Sequence, residues 1–169
     1  MGKEEQEALS RGRFKNVVNS KDLPQEEWAG DMQKYGAVSL EAALAIGAKD
    51  LGFCIVTVDP GKRSCPFHFH HSEEEMFYVL SGTATLRQGK TEVEEELLVE
   101  AGDFISFPAN TGIAHQFLNA TTEPFVYLAV STKIASDVCE YPDSDKILIR
   151  RSRTMLRRQP NLEYFDGEH

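Results

Sequence analysis

Between Leu51 and Ser131, short apolar or alternating runs follow one another, each closed by a turn signal. Phe53 to Val58 stops at Asp59-Pro60-Gly61, Phe67 to His70 comes next, and Met76 to Leu80 ends at Ser81-Gly82. Thr83 to Arg87 turns at Gln88-Gly89-Lys90, and a run through Val93 and another over Leu97 to Val99 lead to Ala101-Gly102-Asp103. Phe104 to Phe107 stops at Pro108, and Ala114 to Leu118 and Phe125 to Val130 complete the series. Runs this short, rich in β-branched and aromatic residues and spaced by glycine and proline, predict an antiparallel sandwich or barrel. No crossover helix fits between them, which disfavours a parallel α/β sheet. The expected fold class is therefore all-β.

The flanks read differently. Residues 1–50 form an N-terminal arm, with a short helix start at Asp22 to Trp28 that carries Pro24 in its first turn. Ser39 to Ile46 is apolar and alanine-rich and fits either helix or extended strand. The barrel itself spans 51–132. From residue 133 to 169 the chain becomes a polar tail: CEYPDSDK is turn-rich, and Ile147 to Arg158 reads as a strand followed by a short helix.

Composition narrows the class. With 169 residues, 41% hydrophobic and 27% charged, the chain suits one soluble globular domain. It has no apolar run of the ~20 residues that a bilayer-spanning helix needs. Its first fifteen residues are charged and lack the apolar core of a secretory signal, so a cytoplasmic protein is expected. A net charge of −9 repels a phosphate backbone and argues against nucleic-acid partners. The cysteines Cys54, Cys65 and Cys139 are odd in number and form no Cys-x-x-Cys pair, which fits reduced thiols. Cys65, three residues before His68, reads as a small half-buried side chain.

Of five histidines, three fall in GKRSCPFHFHHSEEEMFYVLSG. Residues two apart on a strand share a face, so His68 and His70 project together and His71 points away. After the turn at Ser72, Glu75 opens the next strand, expected antiparallel to the first and across from the histidine pair. Two imidazoles and a carboxylate converging at a barrel mouth would make three ligands for a divalent metal. His71, Glu73 and Glu74 are alternates that parity disfavours. His115, in GDFISFPANTGIAHQFLN, is the other internal histidine and the candidate fourth ligand. His169 is set aside as terminal. Phe77 and Val79 share the parity of Glu75, and Phe117 that of His115. They are barrel core or, where they face a cavity, its lining, which would suit a small and partly apolar ligand.

These two segments resemble the paired motifs of the cupin superfamily. The first is matched by Gly61, His68, His70, Glu75 and Gly82, the second by Gly102, Pro108, Gly112, His115 and Asn119. Gly61 stands one residue further from His68 than is typical, and the Pro108–Gly112 turn is one residue longer; both departures lie in turns. The resemblance covers about half the chain, from Leu51 to Ser131. It implies a jelly-roll (double-stranded β-helix) barrel with metal ligands His68, His70, Glu75 and His115. It also implies a homodimer with strands or arms exchanged between barrels. Cupins include isomerases, dioxygenases, decarboxylases, epimerases and non-catalytic binding domains, so function must come from the site.

Three imidazoles and one carboxylate suit iron, manganese, nickel, cobalt or zinc. With two octahedral positions open, a hydroxy-acid, enediol or sugar would chelate the ion, which would polarise a carbonyl or stabilise an enediolate. The expected function is thus a metal-dependent isomerase or lyase acting on a small oxygenated metabolite. A non-haem iron dioxygenase and a non-catalytic small-molecule-binding module are the alternatives. Two charged runs stand apart, the acidic TEVEEELLVE and the basic ILIRRSRTMLRR. They are solvated faces, or the basic run docks on an acidic hairpin, or one of Arg150, Arg151 and Arg153 binds a substrate phosphate.

Overall fold

The computed structural model describes residues 15–28, 31, 33–90, 93–158 and 161–168. His169 and the first fourteen residues of the expected arm lie outside them. The elements run β1 (Glu26–Glu27), β2 (Ala37–Leu40), helix α1 (Ala42–Ala45), β3 (Leu51–Val58), β4 (Phe69–His70), β5 (Glu75–Ser81) and β6 (Thr83–Lys90). They continue with β7 (Val93–Glu100), β8 (Phe104–Phe107), β9 (Ala114–Leu118), β10 (Phe125–Thr132), β11 (Val138–Tyr141), β12 (Lys146–Ile149) and β13 (Thr154–Arg157). Three sheets result, in the orders β1-β2-β3-β10-β5-β8, β13-β12-β11-β4 and β7-β6-β9. Every pair of these strands is antiparallel. This is the all-β architecture that the turn spacing predicts, in the jelly-roll form that the cupin resemblance implies.

The core follows from strand parity. Val56, Val58, Phe77, Val79, Leu86, Val99, Phe117, Phe125 and Tyr127 are buried and form one apolar cluster. Alternate residues along each strand face this interior. Phe77, Phe117, Phe125 and Tyr127 meet ring to ring, with Phe117 5.3 Å from Phe77 and 5.0 Å from Tyr127.

Five local expectations change. Val93 and Leu97 to Val99 belong to one continuous strand, β7, paired along its length with β6. Ser39 to Ile46 divides, with β2 ending at Leu40 and α1 starting at Ala42. The turn near Asp22 is a 3-10 helix over Ser20–Asp22, capped by the Asn19 side chain, and it ends before Pro24. The C-terminal segment holds a β-hairpin where a helix is expected: β12 pairs with β13 from Lys146↔Arg157 to Ile149↔Thr154. The helix-forming Met, Leu and Arg residues of that run are overridden because β12 is already paired with β11, which offers the next strand a ready edge. Finally, β4 and β5 do not form a hairpin. β4 pairs with β11, while β5 lies between β10 and β8.

Gly82 links β5 to β6 with φ of +80°, and a Cβ there would sit 2.5 Å from the Pro124 carbonyl oxygen. Gly61 has a similar φ of +72° with nothing within 4 Å. Gly61→Ala should therefore cost only the left-handed backbone penalty, about 1–2 kcal/mol. Gly82→Ala adds a clash with backbone and should cost clearly more. Chemical denaturation of the two variants checks this order.

Candidate metal centre

Main-chain pairing sets the geometry. His68 lies just before β4, and its backbone exchanges two hydrogen bonds with that of His115 in β9: His115 N–H donates to the His68 carbonyl at 2.8 Å, and His68 N–H to the His115 carbonyl at 3.3 Å. The two imidazoles consequently stand 4.7 Å apart, centroid to centroid. His70, two residues on, shares the face of His68, with its ring 5.2 Å away. Glu75 is carried in by β5. One of its oxygens, Oε2, lies 3.9 Å from Nε2 of His68, 3.6 Å from Nε2 of His70 and 3.1 Å from Nε2 of His115. The structure thus brings together all four residues that the motifs single out.

The donor set suits a divalent ion. His68, Glu75 and His115 offer ligand atoms all within 4.8 Å of one another. Cis ligands about 2.1 Å from a shared ion stand roughly 3 Å apart, the spacing seen between Glu75 and His115. Despite that closeness, Glu75 Oε2 and His115 Nε2 make no hydrogen bond, and both are buried. Buried polar atoms without partners are rare in folded proteins, and an ion between these two would satisfy them. On His68, Nδ1 donates to the Pro66 carbonyl at 2.8 Å. On His70, Nδ1 meets Asp137 Oδ2 at 2.6 Å. Both contacts leave Nε2 free for an ion.

Electrostatics agree. Burial pushes the Glu75 carboxyl up, but the three imidazoles outweigh it and hold the group at about 2, so it is ionised. Burial takes His115 down to about 4, which keeps it neutral. Burial also lowers His68, but Cys65 and Glu75 beside it outweigh that effect and raise it to about 9.

The supporting residues were not foreseen. Asp137 is fully buried. Its Oδ2 orients His70, and its Oδ1 accepts the backbone N–H groups of Ser72 and Glu73 at 2.8 and 3.2 Å. Glu73 is buried too and receives the Ile134 N–H at 2.8 Å and Arg150 Nε at 3.0 Å on the same oxygen. The alternates are otherwise engaged: His71 turns away to Glu140 at 2.7 Å, and Glu74 is exposed. The sequence signal for Asp137 was slight, an aspartate directly before a strand.

A cavity of about 260 Å³ adjoins the cluster, with His68, Glu75 and His115 in its wall. Phe77 and Phe117 line it, as do Trp28 and Glu41 from the N-terminal segment. Val79 is not part of the lining. It is fully buried one step deeper in the barrel core, where its parity with Phe77 serves packing. Glu41 accepts a hydrogen bond from Ser39 Oγ at 2.9 Å, and Ser39 in turn accepts one from Trp28 Nε1 at 3.1 Å. Cys65 reaches the cavity with Sγ 3.7 Å from His68 Nδ1. Burial and nearby Glu41 push the Cys54 thiol up to about 12, which makes it inert. Asp137→Asn should weaken divalent-metal affinity roughly 10- to 100-fold by loosening His70. Competition with a chromogenic chelator reads this; an unchanged affinity would remove Asp137 from the design.

Comparison with known proteins places this geometry. A cupin domain model matches residues 54–131. A protein from Acidithiobacillus ferrooxidans, provisionally named a sugar phosphate isomerase, shares 27% identity over 88% of this chain and 97% of its own, with a TM-score of 0.77. A sugar phosphate isomerase from Silicibacter pomeroyi shares 23% over 89% and 98%, with a TM-score of 0.74. A predicted oxalate decarboxylase from Thermotoga maritima shares 21% over 70% and 99%, with a TM-score of 0.58. No curated protein matches. The paired motifs, the jelly roll and these likenesses together make the chain a member of the cupin superfamily.

Proposed function

We propose that this is a metal-dependent enzyme in which His68, His70, Glu75 and His115 hold one divalent ion and a small oxygenated metabolite is isomerised or cleaved beside it. The observation that carries the reading is one carboxylate oxygen within 3.9 Å of three imidazole nitrogens, at the wall of a cavity sized for a small molecule. When bound, iron, manganese, nickel, cobalt or zinc would polarise a carbonyl or stabilise an enediolate. The protein's own part is to bind, orient and move a proton. Phe77 and Phe117 form an apolar wall that excludes water on one side. Glu41 is a second carboxylate in the cavity wall, held by Ser39, and is the group we assign to proton transfer. Two structures that cover most of this chain carry the name sugar phosphate isomerase, which favours isomerisation over dioxygenation. Unpaired thiols at Cys54, Cys65 and Cys139 suit the reducing cytoplasm, and among the described residues no helix is long and apolar enough to cross a membrane.

We also propose a homodimer. Leu40, Ile55, Leu128, Tyr78 and Phe104 pair in register across β2, β3, β10, β5 and β8. Their neighbours Ser39, Val56, Tyr127 and Phe77 point inward and are buried, as is Phe107, three residues on from Phe104, so this row lies on the outer face. It carries no charge, and Phe104 is 74% exposed. A second copy related by a twofold axis would lay the same apolar row against itself, away from the negative charge of the remaining surface.

Elemental analysis of the purified protein should find close to one transition-metal ion per chain, and Glu75→Gln should lose most of it together with any aldose–ketose turnover. Full metal content in Glu75→Gln would overturn the assignment. Because His68 sits near 9 without metal, loading at pH 8 should release roughly one proton, measured by calorimetry in buffers of different ionisation enthalpy. Leu80→Lys/Phe104→Lys, at two exposed positions, should halve the mass in sedimentation with the fold intact.

A further inference from the structure

The cavity wall also holds two cations. Lys133 and Arg150 both line it, and Glu73 bridges their two segments. Glu73 Oε1 receives the backbone N–H of Ile134, the residue after Lys133, and also Nε of Arg150. The Arg150 Nη nitrogens and Lys133 Nζ have no partner among the described residues, whereas Arg87 and Arg158 are spent on Glu94, Asp143 and Glu140. An unpaired ammonium beside a guanidinium held by a single carboxylate leaves positive charge at the cavity wall, against the trend of a chain of net charge −9.

The backbone register ties these cations to the metal ligands. Gly52, Ser131, Glu75 and Phe107 are direct cross-strand partners over β3, β10, β5 and β8. Ser131, which also lines the cavity, therefore stands one strand spacing, about 4.8 Å, from Glu75. The bare Cα of Gly52 leaves the room that this arrangement uses. A Cβ at that position would meet Ser131 Oγ at 3.0 Å and Lys133 Cε at 3.2 Å. The Lys133 stem thus crosses the rim over Gly52, beside the Ser131 hydroxyl.

We infer that Arg150, Lys133 and Ser131 form an anion-binding subsite on the rim of the metal cavity, and that it takes the phosphate group of a substrate whose oxygens reach the ion. The inference rests on the metal-dependent reading above and names the substrate class of that site as phosphorylated. A guanidinium and a point-charge ammonium beside a hydroxyl, all at one cavity rim, offer more donors and charge than a single carboxylate uses and suit a tetrahedral dianion. Glu73 holds Arg150 through Nε alone, which aims its remaining donors and leaves the Lys133 charge uncompensated. The short reach from Glu75 to Ser131 restricts the carbon chain between chelating oxygens and phosphate to a few atoms.

Three α-hydroxy acids with the same chelating end test this by calorimetry on nickel-loaded protein: glycerate, malate and 3-phosphoglycerate. The phosphorylated probe should bind at least tenfold tighter than glycerate, with malate between them. Lys133→Ala and Lys133→Ala/Arg150→Lys should remove most of that gap while glycerate affinity and metal content stay unchanged. Malate equal to 3-phosphoglycerate, or a gap that survives both variants, overturns the phosphate subsite. Glycerate binding that does not depend on added nickel would defeat the metal reading instead. Even then, displacement of 3-phosphoglycerate by inorganic phosphate in the parent but not in Lys133→Ala would uphold the subsite.

Discussion

Two main-chain hydrogen bonds between His68 and His115 carry the centre. They join a segment that is hardly a strand, with β4 only two residues long, to the well-paired β9. Once those residues face each other, strand parity delivers His70 to the same side, and the register of β5 against β10 and β8 delivers Glu75. No imidazole is positioned by a side-chain contact alone. The backbone sets the spacing, and hydrogen bonds donated to the Pro66 carbonyl and to Asp137 then fix which ring nitrogen is free.

The same register serves two surfaces. Along β3, β10, β5 and β8, the inward row that contains Ser131 and Glu75 alternates with an outward row that contains Leu128 and Tyr78. The inner row carries the carboxylate at the site, whereas the outer one carries no charge and is mostly apolar. Slipping any of these strands by one residue would exchange the rows, placing a carboxylate outside and a leucine in the cavity. The alternation therefore constrains both surfaces at once, and the β-bulge between Val126 and Tyr127 must lie where it keeps both in phase.

Much of this was legible in the sequence because it depends on short-range pattern. Turn residues at Gly61, Gly82, Gly102 and Pro108 mark where strands end, and the two-residue spacing of His68 and His70 fixes a shared face. What was not legible depends on long-range contact. Asp137 sits in a polar stretch and gains meaning only through burial against His70, 67 residues earlier. Glu73 lies in a run of three glutamates that looks solvated, yet it is buried by Arg150 and Ile134. The helix expected near Arg158 yielded to an available sheet edge, and the hairpin expected between β4 and β5 failed because β11 supplied another partner for β4. Among the described residues, no side-chain contact joins the acidic β7 to the basic tail of its own chain. Its Glu94 is held by Arg87 of β6, and Arg158 goes to Glu140.

Asp137 lies beyond residues 54–131, the span of the cupin model. All four histidine and glutamate positions are synthesised before it. A nascent chain that has released only the barrel strands carries the four candidate ligands but lacks the carboxylate that holds His70 and caps the Ser72 and Glu73 amides. In the proposed centre, the carboxylate that orients His70 therefore arrives only when β11 has been made and has closed over β4.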